Sequence, residues 1–380
     1  LAYQERQLGA FIHFGPATYI GSDMMSVPVA EIFNPSRLDA EQWAKTAKSF
    51  GAKHIVLTAK HHNGFCLWPT ETTDYSVKNA TWKKGKGDVV REFVEACRKY
   101  DLEIGLYVSN YGEIPYLWFD GAYDPFGWDV MDPETKQPLG TAYGNAIHNM
   151  VRLLQPNAIV MGGTKPDVRW SGSEQGWAAY PLANIVQPGE GFDKWVGPQS
   201  AGWIPAEANL HTRSTWFWKP DSDKTLRDLP FMMNVYSESI GRGANLLVNM
   251  TPDTSGLIPA AEVKRLEEFG EAIEQTFSKP VANYDQPENN GNTIFTLSIP
   301  ENQVTNLMVL EENIANGQHI KQYHLESFDG TNWHLLAEGL TIGRKRIHYF
   351  DPVKTDKLRL SLKGDESKIE LKSFTVYQAD

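Results

Sequence analysis

The sequence has little cysteine, no long apolar run and no large cluster of basic residues. Its two cysteines, Cys66 and Cys97, cannot form the disulfide framework of a small secreted domain. A membrane-spanning helix needs about 18 or more consecutive apolar residues, and no such run occurs. The formal net charge is −11, and the short basic run at 343–346 is too small to neutralise a phosphate backbone. We therefore expect neither a membrane span nor a nucleic-acid partner.

Aromatic residues, by contrast, make up 12% of the chain. Their rings pack well against the C–H faces of sugars, but they also fill ordinary cores, so this composition alone does not indicate a carbohydrate site. The 380 residues exceed what one hydrophobic core usually holds, which predicts two domains.

The first 280 residues alternate short apolar runs with amphipathic helical patterns. The apolar runs predict buried parallel strands at Ala10–Gly15, His54–His62, Glu103–Ser109, Tyr116–Ala122, Ala158–Gly163 and Asn245–Met250. The helical patterns lie at Ala40–Phe50, Asp88–Tyr100, Thr141–Leu154 and Pro259–Phe277. Strands that alternate with helices over roughly 250 residues predict an α/β fold, a (β/α)8-type (TIM-like) barrel.

The pattern changes near residues 278–285, and residues 281–380 are predicted to form a separate domain. Short strands recur there with turns such as Asn316-Gly317 and Asp329-Gly330 between them. The predicted strands are Ile294–Ile299, Val304–Leu310, His319–Ser327, Trp333–Glu338, Arg346–Tyr349, Lys357–Leu362 and Ile369–Tyr377. This spacing is typical of an antiparallel β-sandwich.

Two of the predicted barrel strands are unusually close in sequence. Only about six residues separate Glu103–Ser109 from Tyr116–Ala122, whereas successive parallel strands need a crossover of a dozen or more residues. Either one strand is predicted wrongly or a segment is missing between Ser109 and Asn110. We favour the missing segment.

Polar residues follow several of the predicted strands. The carboxyl ends of parallel barrel strands meet at one rim, where active sites of such barrels lie. The residues expected there are His13, His61, His62, Tyr107, Asp120, Arg169 and Glu207. Imidazoles and a phenol suit a polyhydroxylated substrate, and two carboxylates suit glycoside hydrolysis.

Metal and cofactor sites find little support. His61 and His62 are adjacent, so on a strand they would point to opposite faces and could not both bind one ion. The sequence lacks a His-Glu-x-x-His motif, a glycine-rich phosphate loop and a serine nucleophile elbow. We expect no metal and no cofactor. A metal-dependent barrel hydrolase is an alternative function that chelation or bound metal would reveal.

Several motifs resemble family 29 of the glycoside hydrolases, the α-L-fucosidases, over roughly residues 1–278. They are Phe11–Gly15, Glu31–Pro35, Thr58–Pro69 (TAKHHNGFCLWP), Gly87–Leu106 and Trp118–Ala122 (WFDGA). The resemblance implies double displacement with retention of configuration, with Asp120 as the nucleophile. It further implies fucose contacts from His13, Glu31, His61, His62, Trp68, Tyr107, Trp118 and Arg169.

The general acid/base is assigned by a further resemblance. The segment Ile204–Glu207 resembles a subgroup acting on branched α-1,3 and α-1,4 fucosides, which assigns the role to Glu207; Glu174 is the competing candidate. The substrate would be a fucosylated oligosaccharide or glycoconjugate, met in the periplasm or outside the cell. The alternative function is a non-catalytic glycan-binding protein, and the sequence does not indicate an oligomeric state.

Overall fold

A computed structural model describes residues 1–21, 29–106, 114–119, 140–163, 165–186, 202–284 and 293–379, with the backbone alone for 140–144. The strands in these ranges are β1 (Leu8–Ile12), β2 (His54–Leu57), β3 (Glu103–Leu106), β4 (Tyr116–Trp118), β5 (Ile159–Met161), β6 (Arg169–Trp170), β7 (Ile185–Val186), β8 (Gly202–Trp203), β9 (Ala206–His211), β10 (Asn245–Met250), β11 (Ala282–Tyr284), β12 (Ile294–Ser298), β13 (Val304–Glu312), β14 (Ile320–Phe328), β15 (Trp333–Gly339), β16 (Arg346–Lys354), β17 (Lys357–Gly364) and β18 (Leu371–Tyr377). The α-helices are α1 (Ala2–Glu5), α2 (Ala17–Ile20), α3 (Ala40–Ser49), α4 (Val89–Lys99), α5 (Gly140–Leu154), α6 (Leu229–Ser239) and α7 (Ala260–Phe277).

Eight parallel strands form a nearly closed barrel, in the order β5-β4-β3-β2-β1-β10-β9-β6. A parallel bridge between Met161 and Val168 joins β5 to the residue that precedes β6, across the remaining gap. The predicted barrel is therefore confirmed. None of the helices in the described ranges combines the length and apolar character that crossing a bilayer requires.

The barrel strands are buried on both faces, which explains their nearly continuous apolar runs. On β10, Leu247 packs inside the barrel with Phe11 and Trp118. Its neighbours Leu246 and Val248 belong to the layer between the sheet and the helices. The alternation of side chains along a strand thus fills two cores at once.

Aspartate side chains fix where three of the helices begin. Asp39 accepts hydrogen bonds from the first-turn amides of α3, Asp88 does the same for α4, and Asp228 for α6. Each satisfies a helix N–H that has no partner within the helix. Because α3 and α4 begin at these caps, their predicted and observed starts agree within a residue.

Both of the closely spaced strands exist. The strands β3 and β4 are parallel neighbours, with Gly105 opposite Tyr116 and Leu106 opposite Leu117. The predicted ends of these strands, including Tyr107 and Asp120, and the junction between Ser109 and Asn110 lie outside the described residues. The missing segment stays a prediction.

Two antiparallel four-stranded sheets follow, in the orders β11-β18-β13-β16 and β12-β17-β14-β15. Their inner faces share a core that includes Phe295, Leu325, Leu360 and Phe374. The predicted β-sandwich fold is therefore confirmed. The domain boundary itself stays a prediction: α7 ends at Phe277 and β11 begins at Ala282.

The sandwich packs against parts of the barrel away from the carboxyl ends of its strands. Arg344 donates to the carbonyl of Gln4, just before β1, at 3.0 Å. Arg346 donates to the Gly241 carbonyl at 3.4 Å, between α6 and β10. The buried hydroxyl of Tyr323 accepts a hydrogen bond from Arg346 at 3.0 Å. The ring of Tyr323 therefore packs in the core of the sandwich and is not exposed to bind a sugar.

Candidate active site

Three histidines predicted from the sequence meet at the carboxyl ends of β1 and β2. His13 directly follows β1 and is buried, and its ring centroid lies 5.8 Å from that of His61. The rings of His61 and His62 lie 4.7 Å apart. These two residues follow β2 in a turn, where the Gly64 amide donates to the His61 carbonyl at 2.9 Å.

His61 and His62 therefore do not lie on a strand, since β2 ends at Leu57, and the prediction that they point to opposite faces is wrong. Within the described residues, no group of three or more His, Cys, Asp or Glu side chains could hold a metal ion. The histidines form a hydrogen-bonding surface beside one another.

Two aromatic side chains from the loop after β9 complete this surface. The ring of Trp216 lies 4.9 Å from that of His13, and the ring of Phe217 lies 4.9 Å from that of His61. Phe217 is fully buried, whereas Trp216 keeps part of its ring exposed. Neither residue was predicted from the sequence, because the segment Trp216-Phe217-Trp218 is not among the motifs that carry the family resemblance.

The pocket floor is formed by Phe11 and Trp118. The Phe11 ring lies 4.4 Å from that of His13 and 5.2 Å from that of Trp118, the last residue of β4. Phe11 thus lies between Trp118 and His13, and the predicted sugar contact of Trp118 stays a prediction. Asp120 follows it by two positions and lies outside the described residues, as does Tyr107.

Burial favours the neutral form of two imidazoles at this rim, those of His13 and His211. It lowers the pKa of His13 well below its usual range, and the neighbouring His61 lowers it further. Burial also lowers the pKa of His211, the last residue of β9; the Arg213 carbonyl and the charge of Glu174 partly oppose that shift. Neutral imidazoles offer one donor and one acceptor each, which suits sugar hydroxyls.

Glu207 does not reach this pocket. It is the second residue of β9, so it lies about 13 Å below His211 along the strand. Its fully buried carboxylate accepts from Tyr116 at 2.7 Å, from Trp118 at 2.8 Å, from Asn209 at 3.3 Å and from Tyr3. Burial raises its pKa while these donors oppose the shift. Both carboxylate oxygens of Glu207 therefore accept hydrogen bonds from protein groups inside the barrel.

Arg169 also departs from its expected place. Its guanidinium donates to the carbonyl of Ala183 at 2.6 Å and to that of Ile204. Arg169 pairs in register with Ala206, which packs against Ala178 and Leu182 on the outer side of the sheet. Residues in register share a face, so Arg169 lies on the face opposite to Glu207 and the barrel interior.

Glu174 is exposed in the turn after β6, at the same rim as the histidines. The next residue, Gln175, forms a bridge with Leu210 and lies 3.5 Å from the His211 ring. That ring in turn lies 5.4 Å from Trp216. The carboxylate of Glu174 therefore lies on the same side of the rim as Trp216 and is open to solvent.

Glu31 and Trp68 lie on the loops that follow β1 and β2. Glu31 is exposed in a short 3-10 turn (Ala30–Ile32), whose backbone is held by a hydrogen bond from Thr81 to the Glu31 carbonyl. Trp68 is half-buried and packs against the core outside the barrel. Both lie on the loops at the rim, and their predicted sugar contacts stay predictions.

A family model described as Alpha-L-fucosidase matches residues 1–175. Alpha-L-fucosidase 1 of Arabidopsis thaliana is 30% identical over 437 residues, covering 95% of this chain and 83% of the plant protein. A glycoside hydrolase 29 family member from an unknown rumen bacterium superposes with a TM-score of 0.86 at 30% identity, over 100% of this chain and 76% of that chain. The fold is also shared with a Ruminococcus gnavus GH29 fucosidase in complex with fucose, at a TM-score of 0.83 and 22% identity, over 100% of this chain and 94% of that chain.

Proposed function

The chain belongs to family 29 of the glycoside hydrolases, the α-L-fucosidases, and on this premise we propose that it is a retaining exo-α-L-fucosidase. It would release terminal L-fucose from fucosylated oligosaccharides or glycoconjugates. The observation that carries the proposal is the group of adjacent imidazoles of His13, His61 and His62 beside the partly exposed ring of Trp216. Imidazoles bond to the hydroxyls of a sugar while an indole packs against its C–H face.

Asp120 is proposed as the nucleophile. It follows Trp118 at the end of β4, and Trp118 lies on the pocket floor beside Phe11. Its carboxylate would attack the anomeric carbon as the bond to the leaving oxygen breaks, forming a covalent fucosyl-enzyme. Water would then break that bond, and two inversions give net retention.

Glu174 is proposed as the general acid/base, in place of Glu207. A general acid must reach the leaving oxygen and later the attacking water. Glu174 is exposed at the rim beside Gln175 and His211, whereas Glu207 is enclosed by four donors in the barrel interior. In this arrangement Glu174 gives its proton to the departing oxygen and takes one from water in the second step.

We also propose a preference for α-1,3 and α-1,4 linkages, supported by the subgroup resemblance of Ile204–Glu207. That support does not depend on Glu207 being the acid, because the resemblance concerns the segment as a whole. A periplasmic or extracellular location is proposed on the same family resemblance.

The test is release of free L-fucose from α-1,2-, α-1,3- and α-1,4-fucosylated oligosaccharides, with Asp120→Asn measured beside the wild type. A matched control is Asp351→Asn, an exposed position on sandwich strand β16. We expect release by the wild type and the control, fastest from the α-1,3 and α-1,4 substrates, and almost none by Asp120→Asn. Absence of fucose from every wild-type reaction would contradict the proposed activity, and a fully active Asp120→Asn would contradict the nucleophile.

A further inference from the structure

We propose that Asn249 is a positioning residue that fixes which ring nitrogen of His13 carries the proton, so that Nε2 accepts a hydrogen bond from a substrate hydroxyl. The inference rests on the proposed function for the identity of the substrate. Asn249 is fully buried near the carboxyl end of β10, next to β1 in the barrel. Its strand was predicted from the sequence, but no role was predicted for Asn249 itself.

The side-chain amide of Asn249 makes two contacts that determine its orientation. Its Nδ2 lies 2.8 Å from the carbonyl oxygen of Trp216, and its Oδ1 lies 2.8 Å from Nδ1 of His13. A backbone carbonyl can only accept, so the NH2 group must face Trp216. The oxygen of the amide therefore faces His13 and needs a donor there.

The donor must be the Nδ1–H of His13. A neutral imidazole carries one proton, so with Nδ1 protonated its Nε2 holds a lone pair. The described titratable groups that face His13 are His61 and His62 after β2 and His211 at the end of β9, and each disfavours a positive charge on it. Asp120, two positions after the last residue of β4, lies outside the described residues. His13 is thus held as an acceptor, a role that a doubly protonated ring could not fill.

The same amide side chain links His13, the hydrogen-bond acceptor, to the aromatic residue Trp216. Because Asn249 also bonds to the Trp216 carbonyl, it ties the backbone that carries the Trp216 ring to His13, and the two rings lie 4.9 Å apart. One buried side chain therefore sets both the hydrogen-bonding group and the stacking surface of the pocket. Residues that orient a functional imidazole from behind often matter nearly as much as the imidazole itself.

The first experiment reads the tautomer directly. Nitrogen-15 NMR of the wild-type protein labelled at its ten histidines, with His13→Gln used to assign the signal, distinguishes an Nδ1–H ring from an Nε2–H ring. We expect His13 in the Nδ1–H form in the wild type. An Nε2–H or doubly protonated His13 at neutral pH would overturn the inference, whatever the enzyme acts on.

The second experiment compares two substitutions by the pH dependence of kcat/KM for an aryl α-L-fucoside. Asn249→Leu removes both contacts without adding charge, so we expect kcat/KM to fall about tenfold to a hundredfold with the acidic limb unmoved. Asn249→Asp puts a carboxylate against His13, which favours the imidazolium and removes the acceptor. Its acidic limb should therefore move to higher pH.

A control separates this effect from loss of packing. Asn184→Asp changes another fully buried asparagine, whose amide contacts Gln318 of the sandwich at 3.2 Å. It should lower thermal stability and leave the limb in place. An Asn249→Asp profile that coincides with that of the wild type would contradict the positioning role, and if that variant does not fold, the wild-type tautomer and Asn249→Leu decide the matter. A wild type without fucosidase activity would defeat the proposed function alone, since the tautomer measurement would still stand.

Discussion

Substitution of Glu207 by glutamine separates a buried structural carboxylate from a catalytic one. Glutamine keeps the shape of the side chain and keeps an oxygen that can accept from Trp118 and Asn209, as Oε1 of Glu207 does. Its NH2 group would face the hydroxyls of Tyr3 and Tyr116, which can turn and accept. The variant therefore loses a charge and keeps most of the geometry.

The size of the stability effect follows from the four donors around Glu207. A hydrogen bond to an ionised group contributes about 1.5–3 kcal/mol and a neutral one about 0.5–1.5 kcal/mol, so four contacts would lose about 4–6 kcal/mol together. The neutral amide also avoids several kcal/mol of desolvation that a buried carboxylate costs. We expect Glu207→Gln to lower the free energy of unfolding by about 1–3 kcal/mol, measured by urea denaturation.

The effect on catalysis should be small and independent of the leaving group. Trp118 keeps an acceptor, so kcat should fall by no more than about tenfold, equivalent to about 1.4 kcal/mol. The assay is kcat for a series of aryl α-L-fucosides whose phenols differ in pKa. The matched variant, Glu174→Gln, should lose about 100- to 10,000-fold with poor leaving groups and far less with good ones.

Exogenous azide adds a second readout. A small anion can replace water in the second step when the general base is missing, so azide should accelerate Glu174→Ala and leave Glu207→Gln unchanged. If instead Glu207→Gln showed the steep dependence on the leaving group and the azide response, the account of the site would be refuted. Glu207 would then have to reach the substrate by a rearrangement of β9.

Two further predictions concern stability. Burial lowers the pKa of His54 to about 3, while the unfolded chain binds the proton near pH 6.5, so the unfolded state holds more protons between these values. His54→Leu removes this proton-binding difference. As pH decreases below 6.5, the free energy of unfolding of the variant should therefore fall less steeply than that of the wild type, by up to about 1.4 kcal/mol per pH unit. If urea denaturation showed the same dependence of the free energy of unfolding on pH for both proteins, the prediction would be contradicted. Arg213 and Glu262 form a fully buried ion pair at 2.9 Å beside the loop of Trp216, so Arg213→Met should cost about 3–5 kcal/mol because it leaves a buried charge unpaired. The exposed pair of Lys224 and Asp221 is the control, since Lys224→Met should change stability by less than about 1 kcal/mol. If thermal denaturation showed equal stability losses for Arg213→Met and Lys224→Met, burial would not explain the strength of the Arg213 ion pair.

The barrel could be predicted where strands carry a short apolar run, such as Leu246–Val248 in β10. The strand β10 was predicted with its observed bounds, Asn245–Met250, because it is buried on both faces. The strand β9 was not predicted, since Ala206–His211 contains Glu207, Asn209 and a histidine. Glu207 is buried inside the barrel because it accepts hydrogen bonds from Asn209, Tyr116 and Trp118, which a pattern of single residues does not reveal.

Only those parts of the candidate site could be predicted whose position follows from the neighbouring sequence. His13 directly follows β1, and His61 and His62 lie in the turn after β2, so their place at the rim was predictable from the strand ends. Asn249 meets His13 across 236 positions of sequence, and only closure of the barrel brings them together. Glu207 was assigned from a sequence resemblance, but its position at the start of β9 keeps it from the rim. For a barrel residue, the place along its strand decides the role as much as the residue type does.

The most direct test of the central claim is the stereochemistry of the first product. Proton NMR of an aryl α-L-fucoside during hydrolysis by the wild-type enzyme distinguishes the anomer formed first from that produced by later mutarotation. Double displacement at Asp120 requires α-L-fucose to appear first and the β-anomer to follow slowly. Appearance of β-L-fucose first would show single displacement and contradict a retaining fucosidase.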